Sequence, residues 1–163
     1  MRFNPGSNTH VANTHVAIAC GGTGGHLFPG MAVGRELGAR GAGVTLLISP
    51  KEVDQAAVRG LTGIQIATLP GVGLQGRNYG AFLLGFARAW QSARRQFSNR
   101  TLFQRPPDAI LGMGGFTAAP PMLAGRQLCI PRMCISQGAR RCVSTRRHEG
   151  ARTARNSTRR GKW

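Results

Sequence analysis

Residues 21–26 read Gly-Gly-Thr-Gly-Gly-His and hold the highest concentration of chemically useful groups in this chain. Gly21, Gly22, Gly24 and Gly25 fall within five residues, and each glycine gives up roughly 0.5–1 kcal/mol of extra backbone entropy on folding. A tight turn requires one or two of them. Four point to backbone N–H groups that approach a ligand closely, at the start of a helix usually an anion such as phosphate; the alternative is a tight strand-to-helix turn and nothing more. Thr23 adds a hydroxyl to the same loop. His26 follows the last glycine and brings a side chain that can exchange a proton near neutral pH. Two roles are open to it: general base for a hydroxyl nucleophile, or a helix-start histidine bonded to a backbone carbonyl.

A second loop of similar character lies about 90 residues on, at Gly112-Met113-Gly114-Gly115-Phe116. Neither loop is a familiar nucleotide fingerprint. A P-loop ends in Gly-Lys-Ser or Gly-Lys-Thr, whereas the first loop here ends in Gly25-His26-Leu27. A dinucleotide loop needs a further glycine and an acid at the end of the next strand to hold a ribose. That strand ends in Ser49-Pro50-Lys51, so NAD binding is not supported.

The flanking residues predict elements that present both loops at one edge of a sheet. Val16–Cys20 is an uncharged run, as in a strand buried on both faces. Pro29 suits a first helical turn, so a helix is expected from about Pro29 to Ala39, with Leu27, Met31, Gly34 and Leu37 on its inner face. Val44–Ile48 reads as a second strand, Val53–Arg59 as a short helix ended by Gly60, and Ile64–Leu69 as a third strand. Pro70–Asn78 reads as a loop. A longer helix is expected from about Tyr79 to Phe97, with a buried stripe at Leu83, Phe86, Trp90, Ala93 and Phe97. Asp108–Met113 is the fourth strand, and the helix after the second loop starts near Ala118, because Pro120 and Pro121 fit only a first turn. Strands alternating with helices predict an α/β fold, a doubly wound parallel sheet with crossover helices. Two glycine loops at the C-terminal strand ends would then share one crevice.

Gly21-Gly22-Thr23-Gly24-Gly25-His26-x-x-Pro29 resembles the first glycine loop of the MurG family of glycosyltransferases (family 28), and Gly112-x-Gly114-Gly115 followed by Phe116 resembles the second. The resemblance covers about His15 to Pro131. It implies a Rossmann-like domain, the N-terminal, acceptor-side half of a two-domain GT-B enzyme. Such enzymes transfer N-acetylglucosamine from UDP-N-acetylglucosamine to lipid I in peptidoglycan synthesis, with inversion. By resemblance, Gly22, Thr23, Gly24 and Gly25 contact diphosphate. His26 is the candidate catalytic base, and Gly114, Gly115 and Phe116 shape the acceptor side. No metal or other cofactor is implied. The family sits peripherally on the cytoplasmic face of the cell membrane, which points to Arg77, Tyr79, Phe82 and Arg88 as contacts to an anionic membrane surface. The alternative for those arginines is a solvated basic face. The family's next strand ends in His-Glu-x-Asn, for which Arg132-Met-Cys-Ile-Ser-Gln-Gly138 offers no counterpart. The family's second domain, which carries most donor contacts, is absent from these 163 residues, so turnover by the chain alone is not expected.

Composition bounds the rest. The 163 residues suffice for one domain. Their formal charge is +17, from 22 basic and 5 acidic side chains. That suits diphosphates, anionic lipid or nucleic acid and does not choose among them. A nucleic-acid-binding protein is therefore an alternative reading, as is another lipid-acceptor member of family 28. Against specific nucleic-acid binding stands the lack of interleaved aromatics and of any helix-turn-helix or RNA-binding motif. Past Gly138 the chain is arginine-rich and holds no Leu, Ile, Phe or Met. The expected organisation is a polar tail over 1–13, a Rossmann-like domain over 14–137, and a basic segment over 138–163 that does not fold, or that follows a domain edge as unrelated or out-of-frame sequence. The four cysteines form no Cys-x-x-Cys pair and no zinc spacing, and Cys20 reads as a core thiol. No signal-peptide pattern or membrane-spanning run is visible, which makes the cytoplasm the expected compartment.

Overall fold

The computed structural model describes residues 13–22, 24–71, 79–98, 106–136 and 139–141, the last three and Ser136 as backbone alone. In chain order the elements are β1 (His15–Ala19), α1 (Gly24–Ala39), β2 (Gly43–Ile48), α2 (Glu52–Ala57), β3 (Gln65–Thr68), α3 (Tyr79–Ser98), β4 (Ala109–Gly112), α4 (Ala119–Gln127), β5 (Arg132–Ser136) and β6 (Ala139–Arg141). They build one sheet in the order β3-β2-β1-β4-β5-β6. The first five strands are parallel, and β6 runs antiparallel to β5. This is the expected doubly wound α/β arrangement, with β1 and β4 side by side where the strand order reverses.

Alternation along the strands divides the core into two layers. Ala17, Ala19, Leu47 and Ile110 face one way and pack with Ala93 and Phe97 of α3 and Ala124 of α4. Ile18, Leu46, Ile48 and Leu111 face the other way and pack with Leu27 and Met31 of α1. Two-residue periodicity on strands buried on both sides produces this sandwich. Close approach of helix to sheet depends on missing side chains: a methyl group at Gly30 would stand 2.5 Å from Cys20 Cβ, so α1 can lie on β1 only with glycine there.

Several expectations shift. α1 begins at Gly24, five residues earlier than the proline pattern suggested, and Pro29 lies inside it. Pro29 deprives the Gly25 carbonyl of its helical donor, but both residues are exposed, so water can replace that bond. Leu83 was expected in the buried stripe of α3 and is 66% exposed. The buried residues are Ala89, Ala93 and Phe97, with Phe82 and Phe86 half-buried, because the first turns of α3 reach past the edge of the core. The chain also keeps the fold past Pro131, where the sequence resemblance ended. β5 pairs in register with β4, and β6 carries the sheet beyond residue 137, so residues 139–141 are part of it. Residues 1–12 and 142–163 lie outside the described residues.

Two glycines give opposite expectations. A Cβ at Gly21 would lie 2.3 Å from the Ser49 backbone nitrogen and 2.7 Å from the Ile48 carbonyl carbon. Gly38, inside α1, has nothing within 4 Å. Urea unfolding should show Gly21→Ala destabilised by about 1–3 kcal/mol and Gly38→Ala stabilised by roughly 0.5–1 kcal/mol. Equal effects of the two would contradict the close approach of the first loop to β2.

Candidate functional site

The two glycine loops meet because their strands are neighbours. β1 pairs with β4 so that Ala19 stands opposite Gly112, and Met113 N–H donates to the Ala19 carbonyl at 2.9 Å. Each chain then leaves the sheet through glycines, at the C-terminal edge where open parallel sheets bind ligands. Gly22, Gly114 and Gly115 have φ of +107°, +109° and +74°, in the region glycine enters without strain.

The loops touch through two side chains. Thr117 Oγ1, just after the second loop, donates to the Gly21 carbonyl of the first. The His26 ring, from the first turn of α1, lies over the second loop. A methyl group at Gly114 would come within 3.1 Å of His26 Cε1, and one at Gly115 within 3.2 Å of Cδ2. The glycines therefore make room for the imidazole. His26 is half-buried, and neither ring nitrogen has a hydrogen-bond partner among the described residues. Among the described residues no backbone carbonyl accepts from the ring.

α1 opens onto this junction. An α-helix leaves its first N–H groups without intrahelical acceptors, here those of Gly24, Gly25 and His26. No acidic side chain stands in the first turn to occupy them. The helix end is thus built to receive negative charge. Gly22 plays a different part. Its N–H donates at 2.7 Å to Asp54 Oδ2, and its carbonyl accepts from Lys51 Nζ at 3.0 Å. Its amide is already used, so Gly22 shapes the loop rather than offering a donor. Thr23 lies outside the described residues, as does Arg77.

Apolar groups rim the cleft. Phe116 is 65% exposed and receives Phe82 of α3 edge-on at 5.8 Å between ring centres. Phe82 also faces Phe86 at 6.4 Å and is half-buried, so it is less available at the surface than expected. Tyr79, Leu83 and Leu84 stand exposed on the same helix, and Phe28 is exposed on α1. Arg88 is exposed, lining a shallow groove of about 380 Å³ with Arg95 and Gln91. Among the described residues no cluster of three or more His, Cys, Asp or Glu could hold a metal, and no helix is long and apolar enough to cross a membrane.

Asp54, Ser49, Lys51 and Thr117 escaped the sequence reading. No carboxylate stands at the end of β2, where a ribose ligand would be. The acid that matters comes one helical turn later and binds backbone. Its one sequence signal is its rarity, as one of five acids in a strongly basic chain.

Residues 16–137 match the glycosyltransferase family 28 N-terminal domain. The chain belongs to this family. Over 123 residues it is 36% identical to the Geobacter sulfurreducens UDP-N-acetylglucosamine–N-acetylmuramyl-(pentapeptide) pyrophosphoryl-undecaprenol N-acetylglucosamine transferase, covering 75% of this chain and 33% of that protein. The enzyme of the same name from Xanthomonas campestris is 38% identical over 122 residues, covering 75% and 28%. The crystal structure of Acinetobacter baumannii MurG superposes with a TM-score of 0.61 at 31% identity, over 74% of this chain and 34% of that one. A UDP-glucosyltransferase from Polygonum tinctorium, 19% identical with a TM-score of 0.58 over 74% of this chain and 29% of its own, shares the fold. The chain thus spans about a third of the length of the relatives it matches. The match reaches residue 137, so β5 is family structure despite its divergent residues.

Family 28 is a glycosyltransferase family, and this chain carries its Rossmann-like N-terminal domain. Cys20, between β1 and the first loop, is fully buried. Burial, helped by the charge of Asp54, pushes its thiol up to about 12 from 9.0. Between those values the unfolded chain loses this proton while the folded chain keeps it, so stability falls as pH rises from about 9 toward 12. Between pH 9 and 10.5, reduced protein unfolded in urea should lose about 1.6 kcal/mol more than Cys20→Ala does. Parallel pH profiles for the two would contradict the buried neutral thiol.

Proposed function

We propose that this chain forms the acceptor-binding half of an inverting N-acetylglucosaminyltransferase that moves N-acetylglucosamine from UDP-N-acetylglucosamine to lipid I in peptidoglycan synthesis. The observation that carries this reading is the His26 ring resting on Gly114–Gly115, which joins the helix N-terminus and the second loop into one cleft. The acceptor diphosphate would take the N–H groups of Gly24 and Gly25, with Thr23 beside them. Gly114, Gly115 and Phe116 would border the acceptor sugar. His26, whose ring nitrogens have no partner among the described residues, would accept the proton of the attacking 4-hydroxyl as that oxygen bonds to C1 of N-acetylglucosamine and UDP departs. The N-acetylglucosamine transferases named above support this chemistry, and most donor contacts would belong to the part of their length that this chain does not span.

The exposed Tyr79, Leu83 and Leu84, with Arg88 on the same helix and Phe82 behind them, suit a membrane surface carrying anionic lipid. Arg77 would add to that face. Such docking would bring the cleft to a lipid-linked acceptor at the cytoplasmic leaflet.

Titration calorimetry with a short-chain soluble analogue of lipid I tests the acceptor reading. Saturable binding is expected, weakened about tenfold or more when the diphosphate is removed. Gly115→Ala, which would press on His26 at a positive φ, should weaken it by a similar factor. Equal affinity for analogues with and without diphosphate would refute this role. In flotation assays the chain should bind vesicles of phosphatidylglycerol and phosphatidylcholine, and Leu83→Glu with Leu84→Glu should release most of it. Retention of the double variant would remove α3 as the membrane face.

A further inference from the structure

The carboxyl group of Asp54 is 1% exposed, on a helix of only six residues, and no Lys or Arg pairs with it among the described residues. A buried acid is expensive unless its oxygens are supplied with donors. Here one oxygen, Oδ2, accepts from three: Gly22 N–H at 2.7 Å, Ser49 O–H at 2.5 Å and Ser49 N–H at 3.3 Å. Two of these donors belong to the end of β2, and the third belongs to the first glycine loop. Asp54 therefore ties that loop to the sheet's second strand.

The loop requires such a tie. Gly21 and Gly22 have no side chains to pack, so only backbone contacts select one conformation among the many open to them. Asp54 grips the Gly22 N–H, Lys51 Nζ grips the Gly22 carbonyl, and Thr117 grips the Gly21 carbonyl. Of the three, the Lys51 contact is exposed and the Thr117 contact joins two neutral groups, whereas the Asp54 contact is part-buried and made to a carboxylate, which makes it the strongest. The residue after Gly22 leads directly into the turn of α1 that presents Gly24, Gly25 and His26.

We infer that Asp54 is a positioning residue for the acceptor site: it holds Gly22 so that the open amides of α1 and the His26 ring face the second loop. This rests on the acceptor reading above. It also runs against simple electrostatics. A negative group beneath an anion-binding loop repels the ligand, so replacing it with a neutral group should tighten binding if charge alone mattered. If positioning dominates, the same replacement weakens binding.

Asp54→Asn keeps the size and one acceptor oxygen, and Asp54→Ala removes the grip. Both are compared with wild type by amide proton–nitrogen spectra and by calorimetric titration with inorganic pyrophosphate and the soluble lipid I analogue. The Gly22 amide proton should move upfield in both variants. The Gly24, Gly25 and His26 amides should shift or split, while those of Leu46 and Ala67 stay in place. Affinity for both probes should fall roughly tenfold. Unchanged Gly24–His26 amides, or affinity equal to or tighter than wild type in a folded variant, would overturn the proposal. A lower melting temperature with those readouts unaltered would likewise reduce Asp54 to a structural residue. If Asp54→Ala does not fold, Asp54→Asn decides. Failure of wild type to bind either probe would count against the acceptor reading, and the amide spectra would still decide whether Asp54 sets the geometry of α1.

Discussion

The contact between the His26 ring and the backbone of Gly114–Gly115 is the constraint on which the site depends. It exists because β1 and β4 are adjacent and parallel, so two loops far apart in sequence leave the sheet side by side. A Cβ at either glycine would crowd the imidazole, and the second loop's positive φ values would strain any other residue. The junction therefore demands glycine twice over, for space and for backbone conformation. The Thr117 bond to Gly21 adds a second crossing at the same place. The cleft is thus held by contacts between loops rather than by the helices that follow them.

Beneath that cleft the chain handles its charge sparingly. In a protein of net +17, the carboxylate nearest the first loop is buried, with its Oδ2 taking backbone and Ser49 donors. The N-terminus of α1 lacks an acidic first turn. Acidic side chains are thereby kept out of the first turn of α1, while Asp54 lies beneath the loop and Lys51 stands against the Gly22 carbonyl. The proposed site would use the helix-end physics that accepts phosphate in other folds, with no lysine inside the loop itself.

Much of this was legible in the sequence, for definite reasons. Uncharged runs such as Val44–Ile48 must be doubly buried strands, and glycine density at Gly21–Gly25 and Gly114–Gly115 marks both loops. Three things were not legible. Pro29 suggested a helix start, yet solvent exposure lets it sit inside α1, so the helix begins at Gly24. The 3–4 spacing of α3 fitted Leu83 and Phe82 equally well, and only the edge of the core decides which is outside. Asp54 binds backbone N–H groups, which carry no sequence signal, so its role appears only once the loop and α2 are brought together. β5 shows the converse: Arg132-Met-Cys-Ile-Ser departs from the family's pattern, yet register with β4 still makes it a strand.

The central claim is that both loops form one diphosphate-binding cleft around His26. The most direct measurement is a residue-resolved amide titration of the full chain with a soluble lipid I analogue. The account predicts that Gly24, Gly25, Gly114 and Gly115 shift together along a single saturation curve, with the His26 ring protons following the same curve. Shifts confined to one loop, or two loops saturating at different concentrations, would contradict it.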